Sequence, residues 1–150
     1  MENKNCKAFL DMIAYGEGTS LIPNSDSKGY NVAAGASVAV PLFFKSYKDH
    51  PRVFNFRTQN SRAGRYKIND MSFNYLSIKY GFKDFSPETQ DVMALCLIKE
   101  LGALEDVKVG KLKEAMHKCS ARWPSLEGYP LQLIEIYKQS GGTAVGDNEC

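Results

Sequence analysis

The chain has 150 residues, 43% hydrophobic and 24% charged, the proportions of a single soluble globular domain large enough to bury a core. No apolar run reaches the roughly 18 to 20 residues that span a bilayer, and Met1-Glu2-Asn3-Lys4-Asn5 lacks the apolar stretch of a secretory signal. The net charge of +2 conceals an uneven distribution along the chain.

The first element is an amphipathic helix. Cys6, Phe9, Leu10 and Ile13 share one face, and Gly16 and Gly18 end the helix, because glycine costs about 1 kcal/mol in a helix interior and readily takes left-handed backbone. Glu17 is thereby delivered where a buried helix meets irregular chain, beside Tyr15. A partly desolvated carboxyl there stays protonated and suits acid chemistry. Spacing alone favours the alternative, a solvated glutamate in a turn.

Residues 20–67 are rich in Ser, Asn, Gly and Pro. Val38, Val40, Leu42 and Phe44 alternate, as do Phe54 and Phe56 with polar neighbours, so short strands are expected, with Pro41 confining the first to a sheet edge. The region reads as a small sheet or flap. Between residues 45 and 67, seven cations (Lys45, Lys48, Arg52, Arg57, Arg62, Arg65 and Lys67) face one acid, Asp49. That segment is +6 and the remainder −4. Such a patch suits an anionic partner (nucleic acid, a membrane surface or an acidic polymer), or it is a solvated surface that happens to be basic.

From Asp70 the chain reads as helices. Phe73, Leu76 and Tyr80 mark one, closed by Gly81. Ser86-Pro87 starts another, whose seven successive apolar residues Val92 to Ile98 predict a helix buried all round, ending near Gly102. Val109, Leu112, Met116 and Cys119 fit a third, and Leu131, Ile134 and Tyr137 a last one between Pro130 and Gly141-Gly142. The tail from Thr143 to Cys150 is expected to fray. Cys6, Cys96 and Cys119 fall among apolar neighbours and read as reduced core thiols; Cys150 lies in the tail. No C-x-x-C occurs, and neither His50 nor His117 has a ligand partner nearby, so no metal and no cofactor is expected. The sketch is one α+β domain over residues 1–150: a mainly helical body with a buried central helix, and a flap over about 20–67 forming a cleft near Glu17.

The run Phe9-Leu10-Asp11-Met12-Ile13-Ala14-Tyr15-Gly16-Glu17-Gly18-Thr19 resembles the bacteriophage lambda endolysin family. So, in the same order, do Gly29-Tyr30, Tyr47-Lys48-Asp49-His50-Pro51-Arg52, Ala63-Gly64-Arg65-Tyr66, Lys83-Asp84-Phe85-Ser86-Pro87, Ile98-Lys99-Glu100 with Gly102-Ala103-Leu104, and Cys119-Ser120. The resemblance runs from about residue 7 to Gly141-Gly142-Thr143. It implies a lysozyme-like fold and a lytic transglycosylase that cleaves the β-1,4 bond between N-acetylmuramic acid and N-acetylglucosamine in peptidoglycan, leaving 1,6-anhydromuramyl ends. Glu17 would be the catalytic acid and then base. Tyr15, Gly18, Thr19, Tyr30, Arg57, Arg62, Arg65, Tyr66, Lys67 and Tyr129 would contact the glycan. Ala63 to Tyr66 would form the cleft motif, the stretch around Arg52 to Arg62 one lip, and Arg122 to Leu131 the other.

Two departures stand out. Lys67 occupies a position where the family's motif usually has glutamine, and Ala33 to Leu42 is more apolar and longer than its counterpart. For Tyr30, Tyr66 and Tyr129 the alternative to sugar contact is packing. The resemblance further implies a monomer acting on glycan strands, without nucleic acid or stable membrane insertion. It would be made in the host cytoplasm and released by a separate membrane-permeabilising protein. Two other readings remain: a hydrolytic muramidase using a second carboxylate, and a non-catalytic binder of cell wall or nucleic acid through residues 45–67.

Overall fold

The structure, a computed structural model, describes residues 3–145. It forms two compact units: the N-terminal stretch through Gly16 together with the chain from Leu95 onward, and Glu17–Ala94. The chain passes from one to the other after Gly16 and again inside a helix, between Ala94 and Leu95.

In the first unit, helix α1 (Lys4–Gly16) starts where the Asn3 side chain accepts a hydrogen bond from the Cys6 N–H at 3.0 Å, an N-cap that satisfies one orphan donor of the first turn. Its apolar stripe is wider than the four-residue face expected: Ala8, Met12 and Ala14 are buried along with Cys6, Phe9, Leu10 and Ile13. Lys7 and Asp11 pair at 3.0 Å on its outer face. Helix α1 packs against α4 (Leu104–Val109), the 3-10 turn Pro124–Leu126 and α6 (Leu131–Gln139). The end of α1 is set by close approach: a Cβ on Gly16 would lie 2.7 Å from Ser125 Oγ and 3.2 Å from a Leu133 methyl.

The single helix expected from Val109 to Cys119 is two. Gly110, left-handed at φ 83°, closes α4, and α5 (Leu112–Cys119) begins afresh, leaving Val109 exposed. In α6 the buried set is Leu133, Ile134 and Tyr137, while Leu131, in the first turn, points to solvent. The tail is also tied further than expected. The Thr143 N–H donates to Asn5 Oδ1 at 2.9 Å, Tyr137 Oη donates to the Thr143 carbonyl at 2.8 Å, and Val145 N–H to that of Gly110 at 2.8 Å. Residues 146–150, including Cys150, lie outside the described residues. Cys6 and Cys119 are buried free thiols and Cys96 a half-buried one; burial pushes the Cys119 thiol up to about 12, so it stays protonated.

The second unit holds α2 (Asp70–Tyr80), capped by Asn69 Oδ1 on the Ser72 N–H and closed by left-handed Gly81, and the first turns of α3 (Pro87–Glu100). Helix α3 is not buried all round: Met93, Ala94, Leu97 and Ile98 are buried, yet Val92 is 47% exposed. The expected small sheet is absent among the described residues. Three isolated antiparallel bridges take its place, Val32 with Phe43, Asn55 with Asn60 and Ala63 with Ile68. Val38, Val40 and Leu42 lie exposed around Pro41, and Phe54 and Phe56 pack edge to face on each other.

Backbone polar groups left without a ladder need other partners, and side chains supply them. Gln90, fully buried at the start of α3, donates to the carbonyls of Tyr30 and Phe85 at 3.0 and 2.9 Å and accepts from the Arg65 N–H at 2.9 Å. Buried His50 lies between Phe73 and Phe85, its Nε2 donating to the Ile68 carbonyl at 2.7 Å and its Nδ1 accepting from the Arg52 N–H at 2.9 Å. No helix among the described residues is long and apolar enough to cross a membrane.

Candidate active site

Glu17 follows α1 directly and is half-buried. Gly18, left-handed at φ 84°, turns the chain into the 3-10 turn Thr19–Leu21. Thr19 is buried and its Oγ1 donates to the Arg65 carbonyl at 2.5 Å. Gly29 crosses behind it, close enough that a Cβ would sit 2.6 Å from the Thr19 carbonyl oxygen. The residue pairs Glu17-Gly18 and Arg65-Tyr66, distant in sequence, are therefore joined through one hydroxyl.

On the other side of that link is a buried polar cluster. Arg65, 5% exposed, donates through Nε to the Lys28 carbonyl at 3.2 Å and through Nη1 to Tyr66 Oη at 2.8 Å, and its guanidinium lies 5.4 Å from the ring centres of both Tyr30 and Tyr66. Tyr66 and Tyr30 both donate to Asp91 Oδ1, at 2.6 and 2.8 Å. Burial pushes the Tyr30 hydroxyl up to about 12 and that of Tyr66 well above its ordinary range. Both remain neutral donors that hold the Asp91 carboxylate. At 1% exposure Tyr66 is packed within this cluster. Tyr30 is half-buried and keeps some surface.

The other anticipated glycan contacts are divided between the two units. Arg57 and Arg62 are exposed and Lys67 half-buried, and all three line one cavity of about 190 Å3 in the second unit. Tyr15 and Tyr129 belong to the first unit. Tyr15 Oη accepts from Gln132 Nε2 at 2.7 Å. Tyr129, left-handed at φ 56°, lines a cavity of about 350 Å3 with Met116, His117, Leu126 and Glu127.

Asp26, Asp49 and Asp11 have partners of their own. Asp26 accepts from Tyr47 Oη at 2.9 Å, and Asp49 pairs with Arg52 at 3.0 Å, which holds its carboxyl below the ordinary value. Asp11 pairs with Lys7. No group of three or more His, Cys, Asp or Glu side chains that could hold a metal occurs among the described residues. Gln90 and Asp91, which organise the cluster, escaped sequence reasoning. Their signal is a polar pair in the first turns of an otherwise apolar helix.

A family model described as Endolysin matches residues 7–144. The endolysin of Escherichia phage P2 is 35% identical, covering 93% of this chain and 94% of that protein. The endolysin of Escherichia phage lambda is 37% identical, covering 94% of each. Among solved structures, lysozyme from bacteriophage lambda superimposes with a TM-score of 0.85 at 35% identity over 96% of this chain and 98% of that one. Bacteriophage lambda lysozyme complexed with a chitohexasaccharide does so with a TM-score of 0.84 at 36% identity and the same coverage. The fold is thus lysozyme-like and mostly helical.

Proposed function

The chain belongs to the endolysin family, and from that premise we propose that it lyses bacterial cell wall as a lytic transglycosylase with Glu17 as its single acid–base group. A chitohexasaccharide is bound by the lambda lysozyme, and a glycan of N-acetylated sugars is the substrate inferred for this chain. Glu17 in its acid form donates its proton to the glycosidic oxygen as the C1–O4 bond between N-acetylmuramic acid and N-acetylglucosamine breaks. The resulting carboxylate then takes the proton of the muramic C6 hydroxyl, whose oxygen bonds to C1. The muramic end closes as the 1,6-anhydro ring, Glu17 is reprotonated, and no water is consumed. The intramolecular nucleophile gains the effective-molarity advantage of a tethered group.

The observation that supports this reading is the engagement of Asp26 and Asp49 with partners of their own. Ordinary glycosidases need two carboxylates, roughly 5 to 9.5 Å apart. Asp26 and Asp49 are already bound to Tyr47 and Arg52. Mass spectrometry of purified peptidoglycan digested in heavy-oxygen water tests the assignment. Unlabelled anhydromuramyl ends are expected; reducing muramic ends carrying the label at C1 would make the enzyme a hydrolytic muramidase. Absence of any cleavage would leave a wall-binding protein.

A further inference from the structure

The cavity of about 190 Å3 in the second unit is lined by Arg57, Arg62 and Lys67 together with Ser37, Thr58 and Asn60, and its remaining walls are Val, Ala and Gly. Three cations therefore meet around one space that no acid lines. None of the three is in an ion pair among the described residues, and Asp49, the one acid of the basic stretch, is taken by Arg52. Arg57 is aimed by a bond from Nη2 to the Gly35 carbonyl at 2.8 Å, which leaves its other donors for a ligand. Thr58 carries a buried hydroxyl with no hydrogen-bond partner among the described residues, where buried polar groups are ordinarily paired.

The cations reach this space from two different turns. The bridge Asn55–Asn60 closes the turn bearing Arg57, and the bridge Ala63–Ile68 closes the one bearing Lys67. Gln59 and Lys67 are held in left-handed backbone at φ 60° and 51°, a conformation that costs free energy in non-glycine residues and persists where the surroundings enforce it. Like charges gathered this way repel, and an anion between them relieves the repulsion. The volume is small beside the roughly 300 to 1,000 Å3 of ordinary ligand pockets, so it suits an appendage of a polymer better than its sugar chain. Lys67 lies two residues beyond the Arg65 carbonyl that holds Thr19.

We propose that Arg57, Arg62 and Lys67 form a carboxylate subsite that grips a peptide-stem carboxylate of the wall polymer while the glycan is presented to Glu17. This rests on the cell-wall reading above and adds which part of the polymer is recognised besides the sugars.

The test compares two probes: an N-acetylglucosamine–N-acetylmuramic acid tetrasaccharide bearing its stem peptides, and the same compound with the stem carboxylates amidated. Affinities are measured by calorimetry in a Glu17→Gln background, so that neither probe is cleaved. The parent is expected to prefer the carboxylate form by about tenfold, the scale of one charge-assisted hydrogen bond. Lys67→Gln should bring the ratio to about one to threefold, and Lys67→Arg should keep it near the parent value. Equal affinity of the parent for both probes, persistence of the preference in Lys67→Gln, or an equal loss on both probes would overturn the subsite. Digestion of native and amidated peptidoglycan by the wild-type protein separates the two claims. Cleavage of both without preference sinks only the subsite, and cleavage of neither sinks the cell-wall reading on which it rests.

Discussion

The Thr19 hydroxyl donates to the Arg65 carbonyl oxygen at 2.5 Å, tying the turn just after Glu17 to the Gly64–Lys67 turn. Thr19→Val keeps the shape of the side chain and removes that hydrogen bond, at a cost of about 1 kcal/mol. Denaturant unfolding should report that loss. Lytic activity at a temperature where the variant remains folded should fall at least severalfold, since the segment that aims Glu17 loses its anchor. Full activity in a measurably destabilised Thr19→Val would reduce the link to a purely structural one.

Glu17→Gln should abolish clearing of cell-wall suspensions while the thermal unfolding midpoint stays close to that of the wild type. The swap preserves size and removes the titrating proton, and general acid–base catalysis alone contributes about 10² to 10⁴ in rate. Clearance within a fewfold of wild type would remove Glu17 from the chemistry.

His50 gives the fold a pH dependence with a defined sign. Burial holds its pKa below the ordinary 6.5, so the unfolded chain binds more protons than the folded one between the two values. Stability is therefore fully present above pH about 6.5 and falls as the pH drops from there toward the folded value. A proton on Nδ1 would also face the Arg52 N–H that Nδ1 now accepts. Asp49 and Asp70 favour the charged ring and Arg52 opposes it, but burial is the largest influence. Asp49 and Asp84, whose pKa values are held below 3.8, add their losses only at lower pH. Unfolding midpoints measured from pH 7.5 to 5 should decline in the wild type and decline less steeply in His50→Gln, whatever the absolute offset between them.

The cluster Arg57, Arg62 and Lys67 should make lysis salt-sensitive. Activity is expected to drop as ionic strength rises past about 0.1 M, where the Debye length is about 10 Å. Reversing Arg57 and Arg62 to Glu should flatten the profile. An unchanged salt dependence in the double variant would assign these charges to plain solvation.

The helices were legible because each carries its own punctuation. Ser86-Pro87 marks the start of α3, Gly81 the end of α2, and Gly16 the end of α1. The position of Glu17 at the end of α1 was legible for the same reason, being flanked by two glycines. What escaped was whatever depends on partners far along the chain. Alternation at Val38, Val40 and Leu42 looks like a strand, but a strand exists only if another lies beside it. Gln90 reads as one polar residue in a helix, and only the fold reveals that its amide meets the Arg65 N–H and the Tyr30 and Phe85 carbonyls. Val109 continues a helical period across Gly110, which a periodicity count steps over and the backbone does not.

The scarcity of strand pairing in Glu17–Ala94 bears on how this protein can change. In a sheet, inserting one residue flips every following side chain to the opposite face, so loops and strands must be altered together. Here the bridges at Asn55 and Ala63 each close a short turn and the one at Val32 closes the longer span to Phe43, so a change in length within one span does not shift the register of the others. The exposed tip around Val38 and Val40 is a place where such a change can be absorbed, beyond the Ala34 and Gly35 carbonyls that hold Asn55 and Arg57. The freedom has one fixed point. Gln90 is bonded to three separate segments at once, so substitutions should accumulate around it while that amide is kept.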